Sequence, residues 1–450
     1  MIRRLDTDVV VLDAGPAGLA AACAAMEAGA RVVVVEREDR VGGILKQCVH
    51  DGFGLVRYRE KLTGPEYALR DAGRVAASGA TVMLETFVSK ASRTEAGFKL
   101  ICIDRGGVTD LTCKALVLAT GCRERTDRQV FVHGDRPAGI FTAGLAQYMI
   151  NVQGLLPGNK AVILGSGDIG LIMARRMTLE GMEVLGAHEI KPEPSGLSRN
   201  IRQCLGDFDI PLTLSSTVLA VHGKRRVEGV TVASVDASMH PVSGTGRDID
   251  CDTLILSVGL IPENELAQTL GVPLDPVTKG PKVDQSMHTL SDGIFACGNA
   301  VHVNDLADYV SESGETAGRS AADYVFCMAQ ASPARRLIPV DAGPGLLYAV
   351  PQFLDLDRMS AMDHHADDKK RIDANVFYFR SRSTLPGGAK LRVAAGSRGD
   401  PGASLYTHSY LALRPPEMER FTLDGRAILE ATGTGDRAGI HIDIGTGDEA

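Results

Sequence analysis

Two short glycine-rich runs carry the residues best placed to do chemistry. Asp13-Ala14-Gly15-Pro16-Ala17-Gly18 follows the apolar run Val9–Leu12, and Gly165-Ser166-Gly167-Asp168-Ile169-Gly170 follows Ala161–Leu164. Between a strand and a helix, the first glycine of such a run permits the tight turn. The second lets backbone approach a pyrophosphate, and the third lets helix and strand pack closely. The helix N-terminus then turns free N–H groups and the positive end of its dipole toward the phosphates. Each run leads through a helical stretch to a second apolar strand that ends in an acid, Glu36 and Glu189, 18 and 19 residues past the last motif glycine. A carboxylate there accepts hydrogen bonds from ribose hydroxyls. One such run is weak evidence; two, each with its strand, helix and acid, point to two dinucleotide sites. The first copy departs in one respect, because Asp13 stands at the first glycine position. Asp tolerates a left-handed backbone, but a carboxylate is a poor neighbour for a diphosphate. Either Asp13 turns away and affinity falls modestly, or this copy has lost its nucleotide.

The elements that must position these runs form an internal repeat with an offset of 152 residues, in which Gly29 falls on Gly181. Each copy reads strand, glycine turn, helix, strand, acid. A chain of 450 residues exceeds the ~250–300 at which single cores stop growing, so two or more domains are expected. Apolar residues at 44% and charged residues at 23% are ordinary for a globular protein and exclude a disordered or fibrous chain. A net charge of −8 with no basic run argues against nucleic-acid binding, and the absence of Trp argues against a base-stacking platform. No apolar run reaches the ~18–20 residues of a membrane span. Arg3 and Arg4 before an apolar stretch mimic a signal peptide, but Asp6, Asp8 and Asp13 interrupt it. The start therefore reads as a strand and helix of the mature fold, in the cytoplasm. The nine cysteines are odd in number and scattered, with no C-x-x-C pair, which argues against a disulfide framework or a Cys-rich metal site.

With these residues in view, the chain resembles the two-dinucleotide-domain flavoproteins, the pyridine nucleotide-disulfide oxidoreductase superfamily of thioredoxin reductase and NADH oxidase. Val41-Gly42-Gly43, Ala119-Thr120-Gly121, the stretch SVGLIPENEL at 257–266, Val283-Asp284 and SDGIFACGNA at 291–300 are further marks in the family's order. The resemblance implies an α/β fold: two Rossmann-like three-layer dinucleotide-binding domains, the FAD domain discontinuous, plus a small C-terminal β-rich domain. It implies FAD contacts at Ala14, Gly15, Pro16, Ala17, Gly18, Glu36, Arg37, Gly42, Gly43, Val88, Thr120, Gly121, Gly298 and Asn299. NAD contacts fall at Gly165, Gly167, Asp168, Ile169, Gly170, Glu189 and Gly259. The family has Gly-Asp where this chain has Gly298-Asn299; Asn keeps an acceptor oxygen and loses the charge. The helix at about 306–328 is expected to aim its N-terminus at the flavin. Expected boundaries are 1–125 and 281–335 for the FAD domain, 126–280 for the NAD(P)H domain, 341–432 for the β domain and 433–450 for a tail.

A closer resemblance rests on GGILKQCVHDGFG at 42–54, LTGPEYA at 62–68, ATGCRERT at 119–126, RPAGIFTAGLAQ at 136–147, LSRNIRQCL at 197–205 and ACGNAVHVNDLADYVSESGE at 296–315. These are similar to a group of FAD/NAD-dependent oxidoreductases often encoded beside glycerol-3-phosphate-dehydrogenase-like flavoproteins and a small Cys-rich protein. More distantly they resemble FAD subunits of opine-type and hydrogen-cyanide-synthase-type dehydrogenases. Asp13 is the main departure, since that group has Gly there. Disulfide-reducing branches carry C-x-x-C or C-x4-C, and this chain has neither. The resemblance therefore implies electron flow to a partner redox protein or Cys-rich subunit rather than through an internal dithiol; a homo-oligomer is compatible with it.

Hydride transfer needs nicotinamide C4 held ~3–3.5 Å from flavin N5 and no side-chain acid or base. Glu189 at the strand end accepts from a free 2′-hydroxyl and repels a 2′-phosphate, which favours NADH; Lys191 and Arg199 keep NADPH open. Cys48 has two readings. It is a lone redox thiol cycling through a sulfenic acid, or a buried packing residue, and the second is favoured. His50 is a candidate proton donor or a solvated residue. His302 and Asp305 shape the flavin site, meet a partner or anchor a loop. Cys122 and Cys297 read as packing. His364-His365 with Asp367-Asp368, and His441-Ile442-Asp443, look metal-like but read as solvated polar runs. From Asp341 short β-prone runs at 346–354, 375–381, 389–395, 404–413, 418–423 and 426–431 suggest a small sandwich or barrel, and the last residues read as a Gly/Asp-rich tail. The expected function is hydride transfer between NAD(H) and FAD with an unidentified acceptor, a redox protein or subunit or instead a quinone or oxygen. The rivals are a Cys48 peroxide or oxygen reductase and a non-catalytic subunit with an impaired FAD site.

Overall fold

Runs such as Val9-Val10-Val11-Leu12 present nothing polar to water, so they form strands buried on both faces, as parallel sheets require. A computed structural model describes residues 2–327, 335–363, 375–397, 400–433 and 439–446. The chain divides into two units. One runs from the N-terminus to Leu45, over His50–Cys122 and from Pro262 onward; the other takes Lys46–Val49 and Arg123–Ile261.

After the strand Arg3–Asp6, the first unit builds its parallel sheet and helices from β1 (Val9–Leu12), α1 (Pro16–Glu27), β2 (Val32–Val35), α2 (Gly64–Ser78), β3 (Thr81–Met83) and β4 (Ala115–Leu118). The second unit holds β5 (Ile140–Thr142), α3 (Ala143–Asn151), β6 (Lys160–Leu164), α4 (Asp168–Leu179), β7 (Glu183–His188), β8 (Leu212–Thr213) and β9 (Thr253–Leu256). The chain then returns to the first unit with β10 (Ile294–Ala296) and α5 (Ala307–Cys327). The first sheet has the order β10-β4-β1-β2-β3 and the second β5-β9-β6-β7-β8, all neighbours parallel. The repeat seen in the sequence is thus a repeat of topology. Each unit adds an antiparallel meander, Phe87–Thr94 with Gly97–Asp104 and Gly107–Cys113 in one, Ser216–His222 with Gly229–Ser234 and Arg247–Ile249 in the other.

Close packing of α1 fixes where its N-terminus points. Its alanine-rich body is buried from Ala17 to Ala25, and α5 crosses it through Gly314 and Gly318. A methyl group at either glycine would lie 2.2 Å from the Ala17 carbonyl oxygen or 2.0 Å from that of Ala21. Only glycine permits this approach. The segment 262–280, expected with the second domain, packs with the first instead. Ala267 and Val272 are buried in its core, and Asn264 Nδ2 donates to the Ala300 and Lys279 carbonyls at 2.8 and 3.1 Å.

The C-terminal region has a five-stranded sheet, in the order Phe353–Asp355, Leu337–Ala342, Gly439–Thr446, Leu385–Ser397 and Asp400–Leu413. A three-stranded sheet is made of Leu346–Val350, Asn375–Ser381 and Met418–Leu423. Phe377 and Phe379 of one sheet share a core with Leu391, Val393 and Ile442 of the other. Two expectations fail here. Residues 426–431 are not a strand but lie in the helix Gly425–Thr432, started by the Asp424 side chain accepting from the Arg426 N–H. The expected tail contains the strand Gly439–Thr446, paired on both sides, because Ile440, Ile442 and Ile444 alternate inward. His441 and Asp443 therefore belong to a sheet strand. The run at His364–Asp368 lies outside the described residues. No cluster of metal-ligating side chains occurs among the described residues, and no helix among them is long and apolar enough to cross a membrane.

Candidate functional site

In the first copy β1 delivers the chain to Asp13, whose φ of 80° is left-handed. The Asp13 N–H donates to the Val35 carbonyl at 2.8 Å, and the Ala119 N–H to that of Leu12 at 3.1 Å. A methyl at Gly18 would lie 1.9 Å from the Asp13 carbonyl oxygen, and one at Gly43 would lie 2.8 Å from Gly15 Cα. Glu36, 3% exposed, accepts the Ala14 N–H at 2.8 Å and the Glu38 N–H at 2.9 Å. The Asp13 carboxyl accepts the Gly15 N–H at 2.8 Å, so it and the Glu36 carboxyl sit on the N–H groups of consecutive residues. Burial, and then the Glu36 charge, push the Asp13 carboxyl up to about 7, against the pull of the Gly15 N–H and Arg37. Beyond the acid, Arg37 pairs with Glu263 at 3.4 Å. The Thr120 hydroxyl donates to the Glu263 carbonyl at 2.7 Å, and the Glu263 N–H to the Gly121 carbonyl at 3.0 Å. Gly42 closes the rim by donating to the Ala14 carbonyl at 2.8 Å.

The second copy repeats this backbone with different side chains. The Gly165 N–H donates to the His188 carbonyl at 2.7 Å and the Ser257 N–H to that of Leu164 at 2.7 Å; φ at Gly165 is 92°. Glu189, 3% exposed, accepts the Ser166 N–H at 3.0 Å, the Ser166 hydroxyl at 2.5 Å and the Lys191 N–H at 3.1 Å. Ser257 braces the turn, accepting the Gly170 N–H at 3.1 Å and donating to the Gly167 carbonyl at 3.2 Å. Asp168 stands at the first position of α4, where an acid would face a diphosphate. Its carboxylate is instead taken by the Leu197 N–H at 2.9 Å and Asn200 Nδ2 at 2.6 Å. Ile169 packs into this unit's core, and Gly259 keeps φ at 100° while its carbonyl accepts the Arg125 N–H at 3.1 Å.

Both copies fit a dinucleotide. α2 and α3 start under the side chains of Thr63 and Thr142, whereas α1 and α4 receive no side-chain cap. Pro16 has no N–H, Asp13 takes that of Gly15 and Ser257 that of Gly170, so the N–H groups left for phosphate oxygens are those of Ala17 and Gly18 in α1 and of Asp168 and Ile169 in α4. The buried acid beside each turn and the glycines that admit no Cβ complete the cradle. Asp13 is the single feature that opposes an anion.

The remaining candidates are scattered. The Gly298 N–H donates to the Ser313 hydroxyl at 2.9 Å. The Asn299 side-chain oxygen accepts from the Asn304 N–H at 2.9 Å, and its amide donates to Cys122 Sγ at 3.5 Å, so its orientation is set within the loop. Val88 is a half-buried strand residue opposite Cys102. Cys48 Sγ lies 3.7 Å from the Gln147 side-chain oxygen, and burial pushes its thiol up to about 12. His50 Nδ1 is 3.2 Å from the Asp51 carbonyl, and its ring is 5.1 Å from that of Phe53. Cys297 is fully buried. His302, 3% exposed, sits against the rings of Tyr348 and Tyr378, and burial, then Arg380, push it down to about 3. Asp305 pairs with Arg380 and accepts the Met418 N–H at 2.6 Å. These two residues tie the loop after β10 to the C-terminal sheets. Sequence reasoning missed Ser257, Glu263, Asn304 and the Leu197–Asn200 clasp. Only Ser257 had a usable signal, since Ser257-Val258-Gly259 follows β9 as Ala119-Thr120-Gly121 follows β4.

Two parallel sheets of one strand order, each ending in a glycine turn beside a buried acid, define the class of proteins with paired dinucleotide-binding domains. A family model described as pyridine nucleotide-disulphide oxidoreductase matches residues 7–321, and the chain belongs to that family. The family's members are flavoenzymes that use FAD and a nicotinamide dinucleotide. An opine oxidase subunit of Agrobacterium tumefaciens is 28% identical over 342 residues, 70% of this chain and 64% of the relative. Hydrogen cyanide synthase subunit HcnB of Pseudomonas protegens is 26% identical over 284 residues, 58% of each chain. The chain thus spans less than two thirds of the length of these curated relatives. Among solved structures, the thioredoxin reductase of T. acidophilum matches with a TM-score of 0.59 at 23% identity, covering 72% of this chain and 99% of that one.

Proposed function

We propose that the chain is an FAD-dependent oxidoreductase that moves hydride between NAD(H) and a flavin held by the first cradle, with electrons passing to a partner redox subunit. The observation that carries this reading is the duplicated cradle: Glu36 on the Ala14 N–H and Glu189 on the Ser166 N–H, each beside a helix that starts from a glycine N-cap. FAD supplies the two-electron chemistry when bound. The chain's own residues bind and orient: the turns and α-helix starts face phosphates, and Glu36 and Glu189 face riboses. NADH is favoured over NADPH because Glu189 is buried against its own turn and opposes a 2′-phosphate. The names of the opine oxidase and HcnB relatives, both subunits, support an acceptor on another polypeptide. A cytoplasmic location is part of the same reading. The lone-thiol alternative loses support because burial raises the Cys48 thiol instead of lowering it.

The test is an anaerobic NADH titration of purified protein read by its visible spectrum. A flavin band that bleaches with about one NADH per site is the expected result, one hydride being two electrons. A protein that stays colourless after FAD is added, in wild type and Asp13→Gly alike, would reduce the chain to a non-catalytic subunit.

A further inference from the structure

Asp13 and Glu36 place two carboxyl groups side by side in the first cradle, and we propose that this pair holds one shared proton when FAD is bound, so that FAD binding is coupled to proton uptake. The proposal rests on the reading of the first cradle as the FAD site. Three backbone N–H groups converge on the two carboxyls. Glu36 accepts two, from Ala14 and Glu38, and Asp13 accepts one, from Gly15. Asp13 has one such bond against two on its partner, which places the proton on Asp13. Two carboxyls held on consecutive backbone N–H groups resist ionising together without a compensating cation.

The charged and titratable groups around the pair are few. Glu36 comes from the end of β2, Arg37 follows it, and the Cys297 thiol acts from the segment after β10. The first turn of α1 carries no acid, and its first residue is Pro16. Arg37 is 60% exposed and paired with Glu263, so its charge is shared and screened. Burial raises the Cys297 thiol further, which keeps it neutral. Asp13 is therefore the group of this set that desolvation and the Glu36 charge push up toward the neutral range. A diphosphate brought to the turn adds negative charge beside the pair and raises its proton affinity again. Protonated Asp13 removes the repulsion and leaves the left-handed turn intact. The second cradle has Gly165 at this position, so the linkage applies to FAD alone.

The experiment titrates FAD into the full-length protein stripped of flavin, between pH 6 and 9, by flavin fluorescence. Proton uptake is measured by calorimetry in two buffers of different ionisation heat. Asp13→Asn keeps the left-handed turn without titrating, and Asp13→Gly restores the motif; circular dichroism checks that both are folded. Wild-type affinity should hold steady below pH ~7 and then fall toward tenfold per pH unit, with uptake approaching one proton. Both variants should be flat with pH and take up no proton. Wild type that binds FAD with flat affinity and no uptake overturns the proposal and leaves the FAD reading standing. Wild type that fails at pH 6 while Asp13→Gly binds also overturns it, since the protonated pair should accept FAD. Failure of folded Asp13→Gly at every pH overturns the FAD reading itself.

Discussion

The two dinucleotide cradles share a backbone and differ in charge. Asp13 and Gly165 both adopt positive φ and donate to the end of the second strand, Ala119 and Ser257 both donate to the end of the first, and Glu36 and Glu189 both take the N–H of the next turn residue. The differences are at side chains. Asp13 points an acid into its own turn, while Asp168 is turned out and clasped by Leu197 and Asn200. The strand–turn–helix geometry fixes which N–H groups face outward. The side chains left over decide which anion, and how much proton, the turn accepts.

The largest effect should come from filling the third glycine. At Gly18 the obstacle is the Asp13 backbone carbonyl at 1.9 Å, whereas at Gly170 it is the Ser257 side chain, with Cβ at 2.4 Å and Oγ at 2.6 Å. Gly18→Ala has no partner that can yield, and FAD affinity should drop ~10–100-fold, the equivalent of ~1–3 kcal/mol of overpacking. Gly170→Ala should weaken NADH binding comparably but recover most of it in combination with Ser257→Gly. Equal rescue at both sites, or none at Gly170, breaks the comparison; fluorescence titration of each nucleotide reads it.

Next come the acids. Glu36→Ala leaves the Ala14 and Glu38 N–H groups without their acceptor, and Glu189→Ala does the same to Ser166 and Lys191. Each loss is one of charge-assisted bonds worth ~1.5–3 kcal/mol. Glu189→Ala should lower NADH affinity by ~10-fold or more and narrow the NADH over NADPH preference. Glu36→Ala should lower FAD affinity but less so at pH 8, because it also removes the partner that raises Asp13. Steady-state KM for the two nicotinamide cofactors, set beside FAD titrations, separates these outcomes.

The cradles were legible in the sequence because glycine spacing, apolar strands and a terminal acid are local features with one geometric solution. What was not legible depends on distant segments. Ser257 and Glu263 reach the turns from more than 80 residues away; the stretch around them was marked, but their roles at the turns were not. The helix at Gly425–Thr432 read as a strand because its short apolar run has no length to arbitrate between periods. The strand Gly439–Thr446 was hidden by flanking glycines and acids, although Ile440, Ile442 and Ile444 alternate. Asp13 was visible as an exception, but its placement beside Glu36 on consecutive backbone N–H groups was not.

A smaller effect distinguishes the copies by pH. His188, at the end of β7, is pushed down from its ordinary 6.5 to about 4 by burial and then by Arg247. Its neutral form is native, so this contribution is complete above 6.5 and lost as pH falls toward 4, at up to ~1.4 kcal/mol per pH unit. His302 acts in the same direction in the first unit, so the acid side does not separate the copies. The alkaline side does. Asp13 is raised from 3.8 to about 7, so its favourable term is complete below 3.8 and lost as pH rises through 7. Asp13→Asn should therefore raise the melting temperature at pH 8 relative to wild type more than at pH 5, whereas His188→Gln, which also loses the buried bond to Ser216 at every pH, should show its pH-dependent part only on the acid side. Identical pH profiles for wild type and Asp13→Asn would show that the two turns do not differ in charge.

The smallest expected effect is at Cys48, and it bears on whether the cradles alone account for turnover. The segment Lys46–Val49 groups with the second unit, and Cys48 there faces the Gln147 amide oxygen at 3.7 Å. Burial holds the thiol near 12, several decades from the thiolate that a redox thiol needs at neutral pH. Cys48→Ser should leave NADH-driven reduction of an artificial acceptor within about twofold of wild type, a change below ~0.4 kcal/mol in the barrier. It should also leave peroxide without effect on the spectrum. A loss of turnover of tenfold or more, with a sulfenic acid trapped in wild type but not in the variant, would move the chemistry from the flavin to the thiol and make the two cradles a feed for a different site.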